Sequence, residues 1–303
     1  MKNTSMLLGL SFLCLHLSAQ SDTLRIKQHF THILQTEQPR NYRHPEVLDE
    51  VAAYISTQLQ PYSDTVYDQP YEVSGKTYRN VVAVIGPEKP QTIVIGAHYD
   101  VCGHQDGADD NASGVVGLLE LARLLQGVDL PYRLELVAYT LEEPPFFRSQ
   151  QMGSYIHAQS VKERGLDVYG MLCLEMIGYF DASKGSQEYP LGFFSWFYGN
   201  RGDYITLVSK FGSGKFAKQY SRAFKKEAQI KAKKFKGPAR LPGIDFSDHL
   251  NYWRLGWSAL MITDTAFYRN KNYHEKTDTL ETLDLTAMAK VIDATLAALK
   301  RLK

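Results

Sequence analysis

The sequence predicts an α/β fold in which helices cover both faces of a central sheet, and three observations point there. Short Val- and Ile-rich runs alternate with segments of helical apolar spacing, the order expected of strands and crossover helices. The 303 residues are 44% hydrophobic and 12% aromatic, enough to bury a large core. Acids and histidines fall just beyond the ends of several strand-like runs, where ligands gather in such folds.

Residues 46–60, EVLDEVAAYISTQLQ, carry helical apolar spacing. The runs 79–85 and 92–95 read as strands from their Val and Ile content, with the turn GPEKPQ between them. In 113–126, SGVVGLLELARLLQ, apolar residues recur every three to four positions, and Asn111 or Ser113 is a candidate N-cap. A strand follows at 132–139, a helix at 150–164 and a strand at 168–176. The apolar run 259–262 precedes a last amphipathic helix, 285–302. No repeat or linker interrupts residues 21–303, so a single domain is expected there.

The first twenty residues read separately. Lys2 precedes an apolar run from Met6 to Leu17, and Ser18 and Ala19 loosely fit a signal-peptidase site. Residues 1–20 are therefore expected to be an export signal, with the mature chain periplasmic or secreted. A transmembrane anchor needs about 20 apolar residues, and this run is shorter and interrupted by His16, so stable membrane insertion is not expected. Leu13 before Cys14 is bulkier than a lipidation site requires.

Removing that segment takes one cation, Lys2, from the 34 and leaves 33 against 33 acids. Such a balance gives no global attraction to nucleic acid or an anionic membrane. The stretch 222–240, RAFKKEAQIKAKKFKGPAR, is the local exception, with eight cations and a single acid. It reads as a solvated helix face or loop, or as a rim that attracts acidic substrates. Cys102 and Cys173 are too few for a disulfide framework, though an exported chain permits one bridge between them. The sequon Asn111-Ala112-Ser113 lies inside a candidate metal loop and reads as coincidence.

Glu142-Glu143, in VAYTLEEPPFF, closes a strand-like run. Alone, such a pair is ordinarily solvated surface. In company it divides a labour, because metal-assisted hydrolysis needs both a carboxylate ligand and a proton acceptor. The candidate ligands are His98, Asp110, Glu143, Glu175 and His274, an imidazole and carboxylate mixture that suits zinc, with manganese or cobalt as alternatives. Asp100, two residues from His98, is placed to accept a hydrogen bond from the ring nitrogen that does not face the metal. Glu175 in LCLEMIGYF has apolar neighbours, so its burial demands a partner or a metal. Singly, His98 reads as a core histidine, Asp109-Asp110 as a turn and helix cap, and His274 as a surface histidine. Together, at strand ends, they do not.

GAHYD, GADDNASG, the Glu-Glu pair, LEMIGY, FSDHLNYW and YHEKTDTLETLD, in this order, resemble the zinc exopeptidase family that includes the bacterial aminopeptidases with two co-catalytic zinc ions. The resemblance runs from about residue 79 to the C-terminus. It implies a central mixed, mostly parallel β-sheet and a peptide substrate with a free N-terminus. It further implies that Asp110 bridges two zinc ions, with His98 and Glu175 completing one site and Glu143 and His274 the other. Glu142 would be the general acid/base, and the Asp110-Asn111 peptide would be cis. Asp248 and His249 would support the ligands or face the substrate, His249 not being a ligand itself.

Pro144-Pro145-Phe146-Phe147-Arg148 departs from the smaller or more polar residues expected after the acid pair. Phe146 and Phe147 are candidates for an apolar substrate wall or for core, and Tyr179, Tyr252 and Tyr273 for the oxyanion partner. The nearest rival is glutaminyl cyclase, which shares the fold and uses a single zinc on the counterparts of Asp110, Glu143 and His274. The full GADDNASG loop and Glu175, where the cyclases resemble LLDLIG, favour the peptidase. A carboxypeptidase lacks an evident arginine clamp here, and a non-catalytic interaction module would be expected to have lost ligands.

Overall fold

The computed structural model describes residues 20–302, so the expected export signal, apart from Gln20, lies outside the described residues. Two helices open the chain, α1 (Thr23–Leu34) and α2 (Pro45–Leu59), the second with proline in its first turn, where no N–H is missed. A hairpin, β1 (Thr65–Val73) and β2 (Lys76–Ile85), leads to β3 (Gln91–His98), α3 (Gly114–Leu124) and β4 (Tyr132–Tyr139). Then come α4 (Gly153–Glu163), β5 (Asp167–Leu174), the short α5 (Phe194–Tyr198), β6 (Ile205–Lys210) and α6 (Gly214–Glu227). β7 (Ala232–Gly237), α7 (His249–Arg254), β8 (Ala259–Thr263) and α8 (Leu285–Lys300) complete the described residues.

The strands form one sheet in the order β1-β2-β4-β3-β5-β8-β6-β7. Four of the seven pairings are parallel, and the central strands β4, β3, β5 and β8 run the same way. Alternation along the strands divides the core. Leu134, Leu136, Ile93, Ile95, Leu172 and Leu174 face α1, α2, α3, α6 and α8, while Val137, Val94, Met171 and Cys173 face α4 and α7. The expected mixed sheet with helices on both faces is thus present. No described helix is long and apolar enough to cross a membrane.

Several elements were not anticipated. β1, TVYDQPYEV, is a half-exposed edge strand with Pro70 at its centre, and proline in a run argues against a strand unless it lies at an edge. The basic stretch splits into the end of α6 and all of β7, the opposite edge strand. Its cations concealed the helical spacing of Phe216, Tyr220, Ala223 and Phe224, all buried. Seven of the eight cations are exposed, and Lys233 is half-buried. Cys102 and Cys173 are both free thiols, and Asn111 of the sequon is fully buried.

Candidate active site

The parallel strands end on one side of the sheet, and the candidate residues collect there. His98 is the last residue of β3; Glu142 and Glu143 follow β4 and Glu175 follows β5. The GADDNASG loop makes a kinked turn, Ala108–Ser113, into α3. Gly107 opens it at φ +60°, and a Cβ there would lie 2.3 Å from the Asp110 carbonyl oxygen, so only glycine fits. The Asp110-Asn111 peptide is cis. Asn111, not Ser113, caps the helix: its Oδ1 accepts from Gly114 N at 3.0 Å. Leu141, Met176 and His274 adopt left-handed backbone (φ 57°, 49° and 59°), which costs a non-glycine residue of order 1–2 kcal/mol and clusters at functional sites.

This arrangement brings all five candidate ligands together. His98 Nε2 lies 3.5 Å from Asp110 Oδ1 and 3.4 Å from Glu175 Oε2. On the other side, His274 Nε2 lies 3.2 Å from Asp110 Oδ2 and 3.4 Å from Glu143 Oε2. Glu142 Oε2 is 3.9 Å from His98 Nε2. Asp110 Oδ2, Glu143 Oε1 and His274 Nε2 are buried with no hydrogen-bond partner, an arrangement that is expensive unless something else satisfies the atoms. Imidazole nitrogen and carboxylate oxygen converge here, His98 with Asp110 and Glu175 and also with Glu142 and Glu143, a donor chemistry that fits zinc. Cys102 approaches Glu143 and His274 closely enough to be a further donor, which was not anticipated.

Burial raises both glutamates. Burial, then Glu143, Asp248 and Glu175, push the Glu142 carboxyl well above its ordinary range against the opposing effect of His98. Glu143 is raised to about 8 by burial and by Asp110, despite His274. Burial disfavours the charged form of His98 and His274, but the surrounding carboxylates override it and raise both, His274 to about 12.

Supporting residues fix these loops. Asp100 accepts the backbone N–H groups of Glu142 and Glu143, each at 3.1 Å. His98 Nδ1 lies 3.1 Å from the Asp100 carbonyl and 3.5 Å from its carboxylate, so the carboxylate chiefly holds the Glu-Glu backbone. Asp278 accepts from Asp109 N and Asp110 N at 2.9 and 3.0 Å. Arg40, fully buried, donates to the carbonyls of Tyr99, Asp106 and Gly107. Ser247 Oγ donates to Glu175 Oε2 at 2.6 Å. Asp109 accepts from Gly178 N and Asn270 Nδ2, and burial beside it pushes the Asp264 carboxyl well above its ordinary range. Arg40, Ser247, Asp264, Asn270 and Asp278 were not singled out from sequence. Asp264 was readable, since it follows the apolar run of β8 as Glu175 follows β5.

Asp248 is fully buried with neither carboxylate oxygen hydrogen-bonded, and burial raises it to about 7, with His98 opposing and Glu175 and Asp100 contributing. His249 takes no part in the cluster: its Nε2 bonds the Ile244 carbonyl at 2.7 Å and its ring packs edge-on against Trp253. Tyr252 is withdrawn into the core, bonded to Tyr139 and His157. Tyr179 donates its backbone N–H to Asp264. Tyr273 stacks on His274 with ring centroids 3.8 Å apart and lines the adjoining cleft with Glu175. Phe146 packs on Tyr42 and the core; Phe147 packs on Phe246, which does line that cleft.

Comparison with known proteins gives both family and fold. The profile of Peptidase family M28 matches residues 80–299. "Uncharacterized protein YfbL" of Escherichia coli (strain K12) is 44% identical over 276 residues, 88% of this chain and 84% of its own length. "Probable leucine aminopeptidase" of Trichophyton verrucosum is 27% identical over 229 residues, 69% of this chain and 53% of its own, so the chain spans about half the length of that fungal relative. LapB from Legionella pneumophila superposes with a TM-score of 0.72 at 24% identity, covering 92% of this chain and 71% of that one. Bacteroides thetaiotaomicron glutaminyl cyclase gives 0.71 at 18% identity, covering 94% and 100%. These two superpositions speak to the shared fold alone.

Proposed function

The chain belongs to Peptidase family M28, a zinc-dependent hydrolase family, and from that membership we propose that it is an aminopeptidase that releases the N-terminal residue of peptides at a centre of two zinc ions. One observation carries the two-ion reading: the oxygens of Asp110 are divided, Oδ1 toward His98 and Oδ2 toward His274. Glu175 stands with the first group and Glu143 with the second, so His98, Asp110 and Glu175 would hold one zinc, and His274, Asp110 and Glu143 would hold another. Zinc, when bound, supplies a water of lowered pKa and a Lewis acid for the scissile carbonyl.

The chain's own groups do the rest. Glu142, 3.9 Å from His98 Nε2 and outside both proposed donor sets, accepts a proton from the attacking water and returns it to the leaving amine. Asp100 keeps Glu142 and Glu143 in register by their backbone N–H groups. Tyr273, stacked on His274 and lining the cleft with Glu175, is the tyrosine placed to donate to the developing oxyanion. Asp110, Glu142, Glu143 and Glu175 cluster at this end, and among the described residues the cleft's one cation, Lys233, stands at the far end. A free α-ammonium is thereby favoured over a terminal carboxylate. The expected export signal has the enzyme acting in the periplasm or the medium.

The test is release of the N-terminal residue from unblocked dipeptides and aminoacyl anilides by zinc-loaded protein, with N-acetylated peptides as the comparison. Turnover of free but not acetylated substrates is expected. Ammonia and pyroglutamate from a glutaminyl peptide without hydrolysis would make the protein a cyclase instead.

A further inference from the structure

A cleft open to solvent runs from Glu175 along the sheet. Its floor follows from strand register. Thr206 pairs with Thr263 on one side and with Lys233 on the other, and two residues along, Val208 pairs with Met261 and Phe235. Because side chains alternate in a strand, these six residues point to one face, while Ile205, Leu207 and Ile262 between them face the opposite core. Glu175 continues the pairing beside Thr263, its N–H donating to the Ile262 carbonyl at 3.0 Å. The floor thus has an apolar row, Met261–Val208–Phe235, and a polar row, Glu175–Thr263–Thr206–Lys233.

Resting on the aminopeptidase reading, we propose that this polar row is the recognition site for an acidic first residue of the substrate, so that the enzyme prefers an N-terminal glutamyl side chain. The amino end of the substrate lies at the metal-ligand end of the row, which Glu175 marks, and the side-chain carboxylate points along the row toward Lys233.

The far end is prepared for an acceptor. Thr206 Oγ1 is buried without a hydrogen-bond partner. The Lys233 ammonium lies 3.3 Å from the Tyr204 ring centroid and donates to the Tyr198 carbonyl, but among the described residues it pairs with no carboxylate. Asp203, the acid whose charge acts on Lys233, is taken by Lys231. Glu188 at the rim is engaged by Lys271 at 2.8 Å. Burial, together with Arg269 and Lys231 and against Asp203, draws the Lys233 amine down to about 8, still largely protonated at neutral pH. An incoming carboxylate satisfies both Lys233 and Thr206; an incoming lysine or arginine side chain meets a like charge.

Calorimetry on the zinc-loaded full chain with free L-glutamate, L-leucine and L-lysine tests this, alongside release from the corresponding aminoacyl anilides. Glutamate is expected to bind about tenfold or more tighter than leucine, the contribution of a charge-assisted hydrogen bond, with lysine weakest. Lys233→Met is expected to abolish the advantage of glutamate, Lys233→Arg to restore most of it, and Thr206→Val to weaken it, each read as the ratio of glutamate to leucine binding in the same variant. Leucine binding as tightly as glutamate, or an advantage that survives Lys233→Met, overturns the proposal. Glutamate preference in binding with no release from any peptide would sink the aminopeptidase reading alone. Release of leucine with no glutamate preference would sink the cleft assignment alone.

Discussion

Replacing Glu142 by glutamine isolates the proton from the metal. Glutamine keeps the shape of the side chain, and the hydrogen bond from the Glu142 backbone N–H to Asp100 does not depend on it. In the proposed division, Glu142 belongs to neither donor set, so zinc content is expected to stay at the wild-type level. What is lost is general acid/base catalysis, about 10²–10⁴-fold in rate, or roughly 3–5 kcal/mol of barrier. Stability should move the other way. The Glu142 carboxyl is held above its ordinary range by burial and by three neighbouring acids, so its charge opposes folding at neutral pH, and the neutral amide relieves that. Zinc-free Glu142→Gln is therefore expected to melt above zinc-free wild type. The assay is kcat on an aminoacyl anilide, with zinc measured on the same sample. Activity within tenfold of wild type would refute the base assignment, and loss of zinc together with activity would place Glu142 among the ligands.

Asp278→Ala strands two buried N–H groups, those of Asp109 and Asp110; a loss of about 2–5 kcal/mol is expected in urea denaturation, and a midpoint unchanged at equal slope would contradict it. In zinc-free protein, Glu143 is raised from 4.5 to about 8. The unfolded chain releases that proton first, so stability falls as pH rises from 4.5 to 8, by up to roughly 5 kcal/mol. His274, raised to about 12, acts in the same direction above 6.5, and zinc should remove most of this slope; a flat zinc-free profile would refute it. His249 has the opposite sign. Burial lowers it from 6.5 to about 4, the unfolded chain takes up the proton first, and about 3 kcal/mol is lost as pH falls across that interval. The difference in denaturation free energy between wild type and His249→Phe should change by that amount between pH 7 and pH 4.

Much of the site was legible because its chemistry contradicts its surroundings. A carboxylate between Leu, Met and Ile at Glu175 is improbable as structure alone, whereas the Glu142-Glu143 pair, ordinary surface by itself, gains its meaning from the motifs around it, and their order along the chain locates them at the strand ends. Asp100 was readable as a neighbour of His98, but not that its carboxylate holds the Glu142–Glu143 backbone, since that contact spans more than forty residues of sequence. Arg40 was illegible for the same reason: it lies far from every motif and acts through carbonyls of a loop some sixty residues on. Tyr252 and Tyr273 stood equally near motifs, and only packing separates them. His249 follows Asp248 directly, yet the helical turn sends its ring to Trp253. The edge strands β1 and β7 were hidden by proline and by lysines, the residues that protect an exposed sheet edge from pairing with another chain.

Titration of zinc into metal-free protein, followed by both bound metal and release of an N-terminal residue, addresses the two-ion centre most directly. Two equivalents per chain are expected, with full turnover reached only at the second, and Asp110→Ala should hold neither ion firmly. Saturation at one equivalent with full hydrolytic activity, or with cyclisation of a glutaminyl peptide in its place, would contradict it.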